Sequence, residues 1–525
     1  VSQPAARTAI RFGTDGWRAV IAEDFTFANL ERVAQAYADY LQQQGRKASP
    51  LRDEMLLEQL VEVGQISKDE SETDMFRNVI LQAARNGAPS SDMRAPLVVV
   101  GYDRRFLSEH FARRTAEVLA GNDFRVALFS EPVPTPLVSW AVREQKTMGG
   151  VVITASHNPP DFNGFKIKAE FGGSAPPEIT TAVESLIDAQ PPHRAAALTD
   201  KLDNAPLTAA VESYCAQIAS YIDLERVRQA GMRVVIDPMH GSGGRWVESF
   251  LQHGRLEAET IRAERDPLFG GVNPEPIDRN LEPLCMRVKA SRAHLGLATD
   301  GDADRLGAVN ELGETMTMHE VVPLLLLHLA RRRGMKGGVV RTFSQSVLTK
   351  RIAAAHGLKL YETPIGFKYV ADLMLREQIL LGAEESGGIG VRGHIPERDG
   401  ILNCLLLLEA VVAAGKPPSE MVKDMHREFG EFYFGRRDIH QEVSRGQEMV
   451  AALASNAPPV VAGFKVCGVE TLDGTKLLFA DESWLLFRQS GTEPALRIYA
   501  EATSKEKTNA LLDEGERIAE ASGKQ

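Results

Sequence analysis

The sequence predicts an α/β protein: three related α/β domains in tandem, followed by a smaller α+β domain. A strand–helix–strand pattern that recurs three times and a tail that breaks it carry this expectation. The length of 525 residues agrees, because one compact core seldom serves so long a chain.

Each copy opens on an apolar, β-rich run, turns, passes through a helical stretch and closes on a second short strand. The first runs from 97–100 through Gly101-Tyr102-Asp103 to 126–129. The second runs from 234–236 through Asp237-Pro238-Met239-His240-Gly241 to Glu259, and the third from Val339-Val340 through Phe343-Ser344-Gln345 to 358–361. Strand, helix and strand within roughly 30 residues make a βαβ unit. Pattern alone leaves one large α/β sheet as the alternative. Segment 48–95 is polar, helical in places and bounded by Ser49-Pro50 and Pro89-Ser90-Ser91, so it reads as an inserted surface element without chemistry. From about Glu431 to Gln525 the pattern becomes strands followed by a helix after Thr503.

Composition narrows the class. The 43% hydrophobic and 25% charged content is that of an ordinary globular protein. A net charge of −11 disfavours a nucleic-acid partner, whereas a phosphorylated small molecule needs only local arginines. Cys215, Cys285, Cys404 and Cys467 form no C-x-x-C pair and suggest no disulfide framework, which points to a reducing cytoplasm. Apolar runs such as 401–415 are too short to span a bilayer and contain Asn403 and Glu409. The N-terminus lacks the profile of a signal peptide.

Four short segments carry chemistry. Thr154-Ala155-Ser156-His157-Asn158-Pro159-Pro160 follows an apolar run, so Ser156 is expected in an exposed turn where it can act as a nucleophile. His157 beside it can donate to a phosphate, and Lys166 lies within loop reach; a plain Ser-Asn-Pro turn is the alternative. In Asp300-Gly301-Asp302-Ala303-Asp304-Arg305, alternate carboxylates can converge on a hard cation, Mg²⁺ in preference to Ca²⁺. An EF-hand is rejected, because Arg305 stands where that loop needs glycine and both flanks read as strands. A solvated acidic turn remains the alternative. Gly382-Ala383-Glu384-Glu385-Ser386-Gly387-Gly388 pairs a carboxylate and a hydroxyl suited to vicinal sugar hydroxyls, although an ordinary turn fits as well. Arg488-Gln489-Ser490-Gly491-Thr492-Glu493-Pro494, with Arg497, suits a phosphate but is no nucleotide P-loop.

Together with Phe12-Gly13-Thr14-Asp15-Gly16-Trp17-Arg18, these segments resemble the α-D-phosphohexomutases, over nearly the whole chain except 48–95. That family includes phosphoglucomutase, phosphomannomutase and phosphoglucosamine mutase. The resemblance implies three related mixed α/β/α domains and a smaller C-terminal α+β domain around a central cleft. It divides the chain into 1–207 with the phosphoserine loop, 208–312 with the metal, 313–430 with the sugar and 431–525 with the distal phosphate. Ser156 would carry the phosphoryl group, aided by Arg18, His157 and Lys166. Asp300, Asp302 and Asp304 would hold Mg²⁺ with a phosphoserine oxygen. Glu384 and Ser386 would read O3 and O4 of the sugar, with Arg305, Gly366, Lys368, His394 and Arg398 also lining the substrate. Arg488, Ser490, Gly491, Thr492 and Arg497 would hold the non-reacting phosphate.

The implied reaction interconverts glucose 1-phosphate and glucose 6-phosphate through glucose 1,6-bisphosphate, which also serves as activator. The protein would be a monomer or homodimer. Other phosphosugar mutases, a glucose 1,6-bisphosphate synthase and a silent sugar-phosphate sensor are the alternatives. Glu-Glu-Ser-Gly-Gly and Thr363-Pro364-Ile365-Gly366-Phe367-Lys368 look most like the phosphoglucomutase side, because some relatives carry His where Gly388 stands. Arg398 replaces a lysine found in some phosphoglucomutases. Arginine stays protonated, so Lys166 is the expected general base and Lys368 the reserve.

Overall fold

The computed structural model describes residues 9–13, 15–62, 95–195, 198, 202–490 and 494–522. Four sheets carry the chain. The first has the order β3-β2-β4-β5-β1, with β1 (Trp17–Val20), β2 (Leu97–Tyr102), β3 (Arg125–Leu128), β4 (Gly150–Ile153) and β5 (Phe162–Lys168). The second has the order β7-β6-β8-β9-β10, with β6 (Arg233–Asp237), β7 (Glu257–Thr260), β8 (Leu295–Thr299), β9 (Leu306–Val309) and β10 (Thr315–Met316). The third runs β12-β11-β13-β14, from β11 (Gly338–Thr342), β12 (Leu360–Thr363), β13 (Ile379–Ala383) and β14 (Ile389–Val391).

One topology underlies all three. The first strand of each repeat pairs in parallel with the second and the third, and the third pairs antiparallel with a fourth. The expected strand–helix–strand units are all present, with helices Ser108–Gly121, Trp246–Phe250 and Val347–Ala355 as the crossovers. The central strands β4, β8 and β13 are buried along their whole length, which explains why they read as unbroken apolar runs.

The tail forms a sheet of order β15-β20-β19-β18-β17-β16, from β15 (Tyr433–His440), β16 (Val460–Val461), β17 (Phe464–Glu470), β18 (Thr475–Phe479), β19 (Trp484–Gln489) and β20 (Ala495–Ala502). Helix Lys505–Ser522 follows Thr503, as expected, but helix Val443–Ser455 within the tail was not anticipated. The segment read as an insertion begins inside a helix, Phe27–Glu62, while residues 63–94 lie outside the described residues. Helix Ala205–Tyr221 runs across the division expected at 207, and β10 joins the second sheet beyond that expected at 312. All four cysteines are free. Among the described residues no single helix is long and apolar enough to cross a membrane.

The repeat matters because three of the chemical segments occupy one equivalent place. Ser156 follows β4, Asp300 follows β8 and Glu384 follows β13, each before the antiparallel fourth strand. Loops beyond the carboxyl ends of parallel strands are where open α/β sheets bind ligands.

Candidate active site

Ser156 has a left-handed backbone, φ 51°, and only 1% of its surface is exposed. The expectation of an exposed turn is corrected: the acidic loop after β8 closes over it, and Ser156 Oγ donates to Asp300 Oδ2 at 2.9 Å. A buried arginine holds this turn from behind. Arg105 Nη1 donates to the carbonyls of Pro159 (2.7 Å) and Phe162 (3.0 Å). Its Nη2 donates to those of Ser156 and Asn158, both at 2.7 Å. Asp103 pairs with Arg105 Nε at 3.2 Å and accepts from Thr154 Oγ1 at 2.6 Å, and Thr154 Oγ1 in turn accepts the Ser156 N–H at 2.9 Å.

His157 Nδ1 lies 3.4 Å from Ser156 Oγ. Burial, together with Arg305 and Arg18, lowers its pKa well below the ordinary histidine value, so the ring is neutral. Arg18 reaches the same turn through Asn158 Oδ1 at 2.7 Å.

The three aspartates converge. One ligand oxygen from each of Asp300, Asp302 and Asp304 lies within 4.8 Å of the others. Asp300 Oδ1 accepts the backbone N–H of Asp304 at 2.9 Å and of Arg305 at 3.1 Å, which folds the loop around it. Among the described residues Asp302 Oδ1 and Asp304 Oδ1 are buried with no hydrogen-bond partner, and Arg305 Nε stands 3.9 Å from Asp304 Oδ1. Buried polar atoms are normally satisfied, so two hard oxygens without a hydrogen bond in a cluster of three carboxylates suit a divalent cation such as Mg²⁺. Burial, augmented by the Asp302 charge, raises the pKa values of Asp300 and Asp304. Asp302 is held below the usual carboxylate range, because Lys166 and Thr135 outweigh its burial.

Lys166 Nζ is 2.9 Å from Asp302 Oδ2, 3.4 Å from Asp304 Oδ2 and 2.8 Å from Asp15 Oδ2. Burial alone would depress this lysine, but the three carboxylates raise its pKa. Lys166, expected as the general base, thus stands among three carboxylates, an arrangement that favours its charged form. Arg398 joins three regions of the chain. Its Nη2 meets Asp15 Oδ2 at 2.8 Å and Asp304 Oδ2 at 2.9 Å, while Nη1 faces Glu384 Oε2 at 3.8 Å. Lys168 and Glu397 add a fully buried ion pair at 2.7 Å.

The loop after β13 is hydrogen-bonded to the acidic loop, Leu306 N–H donating to Gly387 O at 3.0 Å, and Arg305 bridges to Gly388. Glu384 is buried, which pushes its pKa up to about 7 against the pull of Arg398. Ser386 lies half-buried in the same turn. A side chain at Gly388 would collide with Arg398 Cδ, so the glycine makes room for that arginine.

In the tail, Arg488 and Arg497 stand directly opposite each other on β19 and β20. Like charges across a ladder repel, and an anion between them would relieve this. Arg488 Nε meets Asp473 Oδ2 at 3.0 Å, and that oxygen accepts the Ile365 N–H at 2.8 Å. Gly366, at φ 136°, then starts helix Phe367–Arg376. Glu501 on β20 ties the tail to the third unit a second time, accepting the Val347 N–H at 2.8 Å. Ser490 is buried; Gly491 and Thr492 lie outside the described residues.

Comparison with known proteins agrees with this geometry. The chain matches phosphoglucomutase/phosphomannomutase α/β/α domain I over 63–193, domain II over 212–313, domain III over 318–429 and the C-terminal domain over 439–517. The chain belongs to the α-D-phosphohexomutase family. A Thermococcus kodakarensis phosphoglucomutase/phosphomannomutase is 32% identical over 81% of this chain and 90% of its own. A Carboxydothermus hydrogenoformans phosphoglucosamine mutase is 28% identical over 79% and 89%. A crystal structure from Thermus thermophilus, whose phosphomannomutase name is itself provisional, superposes with a TM-score of 0.79 at 34% identity, covering 98% of this chain and 100% of that one. Paramecium parafusin, a phosphoglucomutase, shares the fold with a TM-score of 0.74 at 20% identity, over 100% and 96%.

Within this phosphohexomutase two expected substrate residues pack on aromatic rings. His394, expected at the substrate, has its ring stacked on Trp140 at 5.4 Å and its Nε2 bonded to Asp399 Oδ2 at 2.8 Å, with Tyr214 Oη on the same oxygen. Lys368 lies over the Tyr369 ring, 5.1 Å from its centroid. Sequence reading missed Arg105, Asp103, Thr135, Glu397 and Asp473. One signal was available: an aspartate at the end of the first strand of two repeats, Asp103 just after β2 and Asp237 closing β6, each accepting the N–H two residues on.

Proposed function

We propose that this phosphohexomutase interconverts glucose 1-phosphate and glucose 6-phosphate through a phosphoserine at Ser156. The observation that carries the reading is Ser156 Oγ on Asp300, beside two orphaned aspartate oxygens and under three cations, Lys166, Arg18 and Arg398. In the first half-reaction the free sugar hydroxyl attacks phosphorus, the P–Oγ bond of phosphoserine breaks, and glucose 1,6-bisphosphate forms while the hydroxyl's proton ends on Ser156 Oγ. After the bisphosphate turns over, Ser156 Oγ attacks its other phosphate, the bond to the sugar oxygen breaks, and the serine's proton ends on that oxygen.

Phosphoryl transfer needs chiefly positioning and charge neutralisation. Asp300, Asp302 and Asp304 would hold Mg²⁺, which when bound neutralises charge on the transferring phosphoryl group. Arg18 and Lys166 add fixed positive charge. Glu384 and Ser386 accept and donate to sugar hydroxyls, and Arg488, Ser490 and Arg497 take the distal phosphate. Asp473 and Glu501 hold the tail against the third unit, which keeps the distal-phosphate residues facing the same site.

Gly388 favours the glucose reading, since Arg398 occupies the space that the histidine of some relatives would need. A second reading, dual use of glucose and mannose phosphates, draws on the double name of the Thermococcus relative. Contacts to O3 and O4 cannot separate sugars that differ at C2. Rates with glucose, mannose and glucosamine 1-phosphates, measured side by side with and without bisphosphate activator, decide. A kcat/KM for glucose 1-phosphate below that for both others refutes the proposal.

A further inference from the structure

A buried hydroxyl reaches the acidic loop from another sheet unit. Thr135 opens helix Thr135–Glu144, beyond β3, and is fully buried. Its Oγ1 donates to Asp302 Oδ2 at 2.8 Å, and its backbone N–H donates to the Asp302 carbonyl at 2.9 Å. Lys166 Nζ donates to that same Oδ2 at 2.9 Å. One carboxylate oxygen is therefore held by two donors, while the other, Oδ1, is buried without a partner among the described residues. Two donors on Oδ2 and a third bond to the main chain stop the carboxylate from rotating, which leaves Oδ1 as its ligand oxygen.

We propose that Thr135 is a positioning residue for the divalent cation: it orients Asp302 so that Oδ1 is presented to the metal. This rests on reading the three aspartates as metal ligands. Partners that orient a metal ligand are commonly worth about 10- to 100-fold in affinity. Because Thr135 belongs to the first unit and Asp302 to the second, docking of the two units becomes part of the metal site. Metal binding must then favour the docked arrangement by the same free energy.

The test uses the full chain, stripped of metal, with Mn²⁺ as a paramagnetic probe and free Mn²⁺ counted by EPR. Thr135→Val keeps the shape and removes the donor; Thr135→Ser restores the donor; Thr135→Ala removes it without adding an apolar branch. Mn²⁺ should bind about 10- to 100-fold more weakly to the valine and alanine variants and within about threefold of wild type in the serine variant. Affinity within twofold of wild type in either donor-less variant that remains folded overturns the proposal. A serine variant as weak as the alanine variant also overturns it. If wild type binds no Mn²⁺, or if Asp302→Asn binds as tightly as wild type, the metal site itself is refuted, and the role of Thr135 falls with it.

Discussion

Replacing Arg105 with lysine tests whether the phosphoserine turn is held from behind. The guanidinium spreads four donor contacts over the carbonyls of Ser156, Asn158, Pro159 and Phe162, and pairs with Asp103. Lysine keeps the charge but ends in one nitrogen with three donors. After Asp103 takes one, at most two carbonyls keep a partner and two lose theirs. Hydrogen bonds to charged groups contribute roughly 1.5–3 kcal/mol each, so the turn loses about 3–6 kcal/mol. Ser156 then relaxes from its left-handed backbone, which itself costs roughly 1–2 kcal/mol to hold. A nucleophile displaced by about 1 Å loses on the order of 100-fold in rate. We expect kcat to fall about that far while KM moves less than about threefold, because the turn does not grip the sugar. Steady-state kinetics and urea unfolding of Arg105→Lys decide. A folded variant with kcat within threefold of wild type refutes the strap.

Ser156→Gly should abolish turnover and the phosphorylated mass, yet melt within a few degrees of wild type, since glycine accepts φ 51° freely and offsets the lost bond to Asp300; residual mutase activity would sink the phosphoserine. Lys166→Met should lose far more rate than Lys166→Arg, because the structure casts the lysine as charge among Asp15, Asp302 and Asp304; equal loss in both would return it to proton transfer. Glu384, pushed up to about 7 by burial, keeps its proton in the folded state across a window where the unfolded chain has released it. Its contribution is complete below the ordinary glutamate value and is lost as pH rises through about 7, so stability should fall over that span by on the order of 3 kcal/mol. Urea unfolding at pH 5 and pH 7.5 should show a smaller drop in Glu384→Gln, and an unchanged drop removes the assignment.

Much of the fold was legible because the repeat is written in local pattern: β-branched runs, polar turns and helical periods recur at the right spacing. The chemical loops stood out too, since three of them follow a buried central strand and break its apolar run with polar residues. Helix Val443–Ser455 was missed because its first turns are polar and carry Gly446, whose lack of a side chain makes room for Gln489 from β19, a partner distant in sequence. Arg105 was missed for a related reason. Its partners are backbone carbonyls more than 50 residues away, and carbonyls leave no mark in sequence. Ser156 was expected to be exposed because a turn read alone faces water, whereas the second unit covers it. His394 was expected at the substrate from the resemblance alone, whereas its stacking on Trp140 is a tertiary fact that the sequence does not show.

The charge pattern explains how an acidic chain can handle a bisphosphate without keeping it. In the proposed reaction the cleft binds a monophosphate, holds the bisphosphate, lets it turn over and releases a monophosphate. Bare cations buried in a low dielectric would grip the bisphosphate too tightly for that cycle. Here the cations already have internal partners. Asp15 meets Lys166 and Arg398 at 2.8 Å and Arg18 at 3.5 Å, and is held well below the usual carboxylate range by them despite its burial. Arg398 is shared again with Asp304 and Glu384, and Lys168 with Glu397. An entering phosphate therefore exchanges places with a carboxylate, and only the difference between the two pairings appears as affinity. Asp15, where three cations converge, is the residue best placed to take them back when phosphate leaves. In the proposed cycle the acidic residues of the site would serve release as well as metal binding.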